Sequence, residues 1–275
     1  MTGQATIDGA DLYTTYGITI TENGYNGLVA YASMKKPEFN DWQEENGIEV
    51  DLTAPKLDTR EFSISFVCSS KASIDSFITA LSTGAYHTFV FNEIGQTYSI
   101  RMVTQSNRQV TGTMETFNLT FADDYPLNGY IYLAPASTGV AIAQTGYTLD
   151  GKSLADYGVY VMEGSEAEIR KNPTVKKNLT INLLNQVGAT YDPTTVKFSA
   201  KDTTINLTIL ATSLTAFWKN YKALLYDLSK AGARTFASTT GGSHTCYYSS
   251  ASVSKFSPLT ARIYCDFSIT LVFTT

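Results

Sequence analysis

The chain has 275 residues, only 16% of them charged, a net charge of -5, three cysteines and 18 tyrosines. This length supports two domains with real cores, the charge excludes a basic nucleic-acid reader, and three widely spaced cysteines exclude a disulfide framework. Low charge with many tyrosines suits a chain that lives inside an assembly, because interfaces are depleted in Lys, Glu and Asp and enriched in aromatics.

The first elements announce a repeat. Ile7-Asp8-Gly9-Ala10-Asp11-Leu12, followed by Tyr16-Gly17-Ile18-Thr19-Ile20, returns about 141 residues later as Leu149-Asp150-Gly151-Lys152-Ser153-Leu154, followed by Tyr157-Gly158-Val159-Tyr160-Val161. Gly24-Tyr25-Asn26-Gly27 then reads as a turn or loop tip without a clear counterpart. Ile48 to Leu52, Phe62 to Val67, Thr88 to Phe91 and Phe117 to Phe121 alternate apolar and polar residues, so each is expected to be a strand with one buried face. Between them Ile74, Phe77, Ile78 and Leu81 fall at i, i+3, i+4 and i+7, a helix laid on a sheet, with Ser69 or Ser70 as N-cap.

The second half answers in the same order. Lys197 to Asp202 corresponds to Lys56 to Glu61, and Thr180 to Leu183, Ile205 to Ile209, Cys246 to Tyr248 and Phe267 to Leu271 read as strands. Ser213 caps a helix whose stripe is Leu214, Phe217, Trp218, Tyr221, Leu225 and Leu228, with Gly232 as its stop. Gly241-Gly242-Ser243 is a hairpin turn candidate. The reading is a mainly β fold with one packed helix per module: a module at 1–134, a linker at 135–146, and a divergent second copy at 147–275. Residues 1–134 carry 7 Lys+Arg against 16 Asp+Glu and residues 135–275 carry 13 against 9, so the halves stand at -9 and +4. Opposite signs suit modules that contact each other within the chain or head-to-tail between chains.

The search for chemistry yields no catalytic, metal or cofactor residue. Phosphate loops, paired-glycine fingerprints, HExxH, CxxC and nucleophile elbows are missing from the sequence. His87 and His244 occupy comparable places after the two helices and read as structural. In Ser243-His244-Thr245-Cys246 neighbouring strand residues point to opposite faces, which rules out a triad made of these four. Glu44-Glu45, Asp123-Asp124 and Glu163/Glu166/Glu168 lack the spacing of a calcium loop and read as solvated or interface-facing acids. Asn118-Leu119-Thr120, Asn178-Leu179-Thr180 and Asn206-Leu207-Thr208 read as polar faces of strands rather than glycan acceptors. Cys68 and Cys265 lie in apolar runs and read as small core hydrophobes. Neither a secretory signal nor a membrane span is visible, since the weakly polar stretch Tyr130 to Ala143 is too short.

Three segments carry a resemblance. The opening apolar-Asp-Gly-x-x-Leu…Tyr-Gly-apolar, then Trp42…Gly47-Ile48-Glu49-Val50-Asp51-Leu52, then Arg60-Glu61-Phe62-Ser63-Ile64-Ser65-Phe66 ahead of one helix, resemble the N-terminal module of distal tail proteins of tailed bacteriophages, itself similar to the tail-tube fold. The resemblance covers most of residues 5–125 and, through the repeat, 147–275 more weakly; the second copy lacks the Trp42 equivalent. It implies two tandem tail-tube-like β-sandwich or barrel modules, a hexameric or pseudo-hexameric trimeric ring around a DNA channel, neighbouring phage tail proteins as partners, and a place in the virion tail after synthesis in the bacterial cytoplasm. The alternative is a tandem β-sandwich that binds carbohydrate or a cell surface through exposed aromatics such as Tyr25 and Trp42.

Overall fold

The computed structural model describes residues 2–22, 24–68, 71–177, 180–191, 196–258 and 261–275. The fold is mainly β, with 42% of residues in strands and curled antiparallel sheets. In the first half the elements are β1 (Ala5–Ile7), β2 (Ala10–Asp11), α1 (Leu12–Tyr16), β3 (Ile18–Ile20), a 3-10 turn (Asn26–Val29), β4 (Phe39–Asn40), β5 (Glu49–Val50), β6 (Arg60–Cys68), α2 (Lys71–Leu81), β7 (His87–Phe91), β8 (Gln96–Thr111) and β9 (Met114–Asp123). The second half has β10 (Thr148–Leu149), β11 (Lys152–Ser153), a 3-10 turn (Leu154–Tyr157), β12 (Val159–Val161), α3 (Ser165–Arg170), β13 (Thr180–Ile181), β14 (Thr190–Tyr191), β15 (Lys201–Ala211), α4 (Leu214–Leu228), β16 (Arg234–Ser238), β17 (Gly242–Ser257) and β18 (Ile263–Phe273).

Each half builds a seven-stranded sheet in the same order. The first runs β2-β1-β7-β8-β9-β6-β3 and the second β11-β10-β16-β17-β18-β15-β12. Alternation explains the buried face: Phe62, Ile64, Phe66, Phe117, Leu119 and Phe121 point inward in one sheet, and Ile205, Leu207, Ile209, Phe267, Ile269 and Leu271 in the other. Burying each such side chain contributes about 1.5–3 kcal/mol. Both first hairpins turn on Asp-Gly, with φ of 49° and 86° at Asp8 and Gly9 and 52° and 79° at Asp150 and Gly151, the paired positive values that a two-residue hairpin turn needs. Even the first irregularity is repeated, because β8 skips Val103 against β9 and β17 skips Ser249 against β18.

Several polar devices recur in the two halves. Asp8 accepts from the backbone N–H of Thr88 at 2.8 Å, and Asp150 accepts from Thr235 at 2.8 Å. Arg60 donates to the carbonyls of Leu28 and Ala30, and Lys201 donates to those of Ile169 and Lys171. In both cases a cation at the start of a strand caps the exit of the preceding helical turn. Gln4 and Gln144 place their amides on the backbones of Ile20 and Val161. The residues between β9 and β10 are pinned: Asn220 of α4 bonds both backbone groups of Ala136, and Tyr132 donates to Asp227.

Several expectations are corrected. Gly24 to Gly27 is a turn, as one of the two readings had it, and not an exposed loop tip: Tyr25, Leu28 and Val29 are buried, and the 3-10 turn that follows has α3 as its counterpart. Ile48 to Leu52 and Thr180 to Leu183 do not join a main sheet, since β4–β5 and β13–β14 are separate two-stranded arms. Residues 180–183 consequently have no buried face. Each half has the expected single long helix, α2 or α4, to which the short elements α1, α3 and two 3-10 turns are added. Ser213 does cap α4, accepting from Ala216, but the helix closes at Leu228, ahead of Gly232. The proposed caps Ser69 and Ser70, and Asn178 and Leu179, lie outside the described residues.

Candidate assembly surfaces

Strand alternation and the long excursion between β3 and β6 together position the contact between the two halves. That excursion leaves its own sheet and crosses the other. Met34 N–H donates to Ser249 O at 2.8 Å, and Tyr248 OH donates to Ala32 O at 2.9 Å. Tyr31 and Tyr221 stack with centroids 4.2 Å apart and exchange bonds, Tyr31 OH to Tyr221 O at 2.5 Å and Tyr221 OH to Val29 O at 2.7 Å. Burial pushes both phenols well up, so they stay neutral donors. Trp218 of α4 adds a bond to Ile94 O at 2.6 Å.

The arm β4–β5 completes the contact. Gly47 N–H donates to Phe198 O at 2.7 Å, Ile48 N–H to Thr274 O at 2.9 Å, and Phe198 N–H to Asn46 Oδ1 at 2.9 Å. Lys176 is buried beneath the arm, donating to Trp42 O and Gly47 O at 2.7 and 2.6 Å and pairing with Asp41 at 2.5 Å. Buried ammonium groups are tolerated only with such partners. The acidic residues Glu38, Asp41, Glu44, Glu45 and Glu49 thus belong to an arm laid on the basic half. A cleft of about 640 Å³ follows the same seam, between Tyr125 to Ile131, Arg60 and Tyr98 on one side and Trp218, Lys222 and Leu225 on the other.

Among the described residues the matching arm of the second half has no such cover. Ile181, Leu183, Leu184 and Val187 of β13–β14 and its tip are exposed, as are Val175 and Phe198 at its base. Residues 180–191 contain no charged side chain. An exposed apolar cluster of this kind marks a contact surface.

The residues weighed from sequence fall as follows. Cys68, Cys246 and Cys265 are buried thiols, and burial pushes Cys246 up to about 12. His87 is buried between Asp8, at 2.7 Å, and the carbonyl of Leu81. Its counterpart is Arg234, which pairs with Asp150 at 2.8 Å, and not His244. His244 stacks on Phe273 at 4.3 Å and reaches Gly241 O. Asp123 and Asp124 part company: Asp123 pairs with Arg60, and Asp124 with Arg101 at 2.6 Å. The guanidinium, with Tyr86 and Thr59, holds Asp124 down at about 2. Glu166 accepts from Tyr147, Ser238 and Thr240, while Glu168 faces Lys171. Glu44 and Glu45 remain exposed. Asn118 and Asn206 lie within β9 and β15. Among the described residues no group of three His, Cys, Asp or Glu is placed to hold a metal, and no helix is long and apolar enough to cross a membrane.

Trp42 is half exposed, with its indole N–H on Glu49, and belongs to the clamping arm. Tyr25 is buried edge-on to Phe91 with its hydroxyl on Glu93, so it offers no face to a sugar. Sequence reasoning missed Lys176, Tyr31 and the two glutamines. A signal existed for Lys176 only in hindsight of the repeat, as Lys35 stands 141 positions earlier.

No protein-family model matches the chain, and no curated protein sequence does. Among solved structures the chain is similar to the Dit (gp 19.1) protein of phage SPP1, described as a paradigm of the hub adsorption apparatus in phages that infect Gram-positive bacteria. The identity is 12% and the TM-score 0.35, with 98% of each chain covered.

Proposed function

We infer that this chain is a non-enzymatic structural component of a phage tail, a distal-tail or tube-like protein that closes into a ring around a DNA channel. The observation that carries the reading is the paired topology: two seven-stranded sheets of one strand order in a single chain. Two like units in tandem are the material of a ring, since rotation about one axis can set like surfaces against like neighbours until the circle closes. The residues that resemble distal tail proteins, from Ile7 to Leu12, Trp42 to Leu52 and Arg60 to Phe66, point the same way.

Six units complete the ring, either as three chains or as one of two layers built by six. The charge split favours three, because -9 and +4 units then alternate and every unit meets neighbours of opposite sign. The lumen needs few cations, since each Lys or Arg on a phosphate strengthens nonspecific binding to DNA that must slide. The positive side chains of the second half therefore belong at unit contacts or on the outside, as Lys176 is. The virion tail is the location this function implies, and neighbouring tail proteins are the further partners.

Electron microscopy of the purified protein tests the reading. Rings with a central hole wide enough for duplex DNA are expected. Solid monomers that bind glycans would move the chain to the carbohydrate-binding class, for which half-exposed Trp42 is the remaining candidate.

A further inference from the structure

We propose that the arm β13–β14 and the strap at its base dock onto the first half of a second copy of this chain, on a surface formed by Lys35, Leu57, Val103 and Asp124. The inference rests on the ring reading above and names the contact that would close it. The template is the contact within the chain.

Equivalence of the two excursions is position for position. Ser33 O accepts from Asp58 N–H and Thr174 O from Ser199 N–H; Lys35 N–H donates to Lys56 O and Lys176 N–H to Lys197 O. Met34 bridges Leu57 as Val175 bridges Phe198. Each member of a pair lies 141 positions from its fellow. The exposure of equivalent positions is nevertheless opposite: Met34 is 8% exposed beneath β17, and Val175 is 50% exposed. Lys176 is buried under an arm, and Lys35 is exposed. The first excursion rests on the other half, whereas the second rests on nothing among the described residues.

A second copy supplies it. Ser249, the acceptor for Met34 N–H, is the residue skipped in β17, and Val103 is skipped at the same register in β8. Bulges of this kind re-aim the backbone at strand edges and contact sites. In the transposed contact, Val175 N–H meets Val103 O of the next copy. Gly188 N–H meets Leu57 O, as Gly47 meets Phe198, and Ala189 N–H meets Asp124 O, as Ile48 meets Thr274. The Lys35 amine of that copy takes the carbonyls of Leu183 and Gly188, and the apolar tip of the arm leaves water. The contact is head-to-tail, and with two units per chain three copies close it. It sets the +4 half of one copy on the -9 half of the next.

Paired cysteines at Val175 and Val103 test the contact, because their equivalents, Met34 and Ser249, are joined by a backbone hydrogen bond of 2.8 Å, and a disulfide forms only between residues whose backbones come this near. On oxidation the double variant is expected to give covalent dimers and trimers, and neither single variant should. In parallel, Leu184→Asp with Val187→Asp is expected to abolish the assembly measured by sedimentation while leaving the denaturant midpoint of the monomer unchanged, since both side chains are exposed. Lys35→Met should weaken assembly where Lys36→Met does not. Rings that persist in the arm variant and give no cross-link would overturn this docking and leave the ring reading standing. A wild-type chain that is monomeric at its highest soluble concentration would overturn both.

Discussion

The side-chain amide of Gln4 holds both backbone groups of Ile20: its oxygen accepts from Ile20 N–H at 2.8 Å and its nitrogen donates to Ile20 O at 3.2 Å. Gln4 immediately precedes β1, whereas Ile20 ends β3 at the far edge of the same sheet, so one side chain supplies a ladder step across the seam where the curled sheet fails to close. Gln144 does the same for Val161 at 2.6 and 2.9 Å. Unpaired sheet edges are liabilities, and here a side chain occupies the last residue of the β3 edge and of the β12 edge.

Gln4→Ala is expected to cost about 2–3 kcal/mol, three bonds of ordinary net strength, two to Ile20 and one to Glu93. Gln144→Ala, which loses the two bonds to Val161, should cost less. Gln4→Glu, which sets a carboxylate against the carbonyl of Ile20 and the carboxylate of Glu93, both of which accept from the Gln4 amide, should cost at least as much as Ala. Urea unfolding midpoints give the ranking.

Lys176→Met removes the cation that joins the arm β4–β5 to the second half and strands the carbonyls of Trp42 and Gly47. The expected loss is about 1–3 kcal/mol, from the carbonyls left without their donor, since Asp41 is 44% exposed and rehydrates. Amide hydrogen exchange should quicken across residues 41–48 before it quickens in β6 or β15.

Gly47 and Gly188 form a matched pair with different surroundings. Both have positive φ, 70° and 79°. A Cβ on Gly47 would collide with the carbonyl of Thr274, while one on Gly188 meets nothing within the chain. Gly188→Ala should therefore cost the monomer only about 1–2 kcal/mol of left-handed strain, and Gly47→Ala more, with the arm displaced. Thermal unfolding of the two variants at a concentration where the chain is monomeric makes the comparison.

Acid should loosen the contact among Arg101, Tyr86 and Asp124. Arg101 lowers Asp124 from 3.8 to about 2, so the folded state holds this proton less tightly than the unfolded chain. The resulting stabilisation is complete above about pH 4 and is lost as pH falls through about 2. Asp124→Asn should flatten the melting temperature over that window by lowering it at neutral pH, where the charged contact is lost, and should change it little below about pH 2.

Much of the sheet was legible because its signals are local. Alternation in Phe62 to Val67 and Ile205 to Ile209, and the Asp-Gly turns, depend only on neighbours and on the two faces of a strand. The arms were misread for the same reason. Ile48 to Leu52 has the alternation of a core strand, and the surface it covers belongs to Phe198 and Thr274, which no local pattern announces. Gln4 and Lys176 act on partners far along the chain, and a lone polar residue has no periodicity to betray it. The tyrosines that composition assigned to an assembly serve first within the chain: Tyr31, Tyr221 and Tyr248 donate across the seam between halves.

Native mass measurement of the full-length protein tests the central claim most directly. The account predicts a discrete species of three chains, dissociating without stable larger stacks when Leu184 and Val187 are replaced by Asp. A species of one chain at every concentration, or an even-numbered dimer, would contradict it.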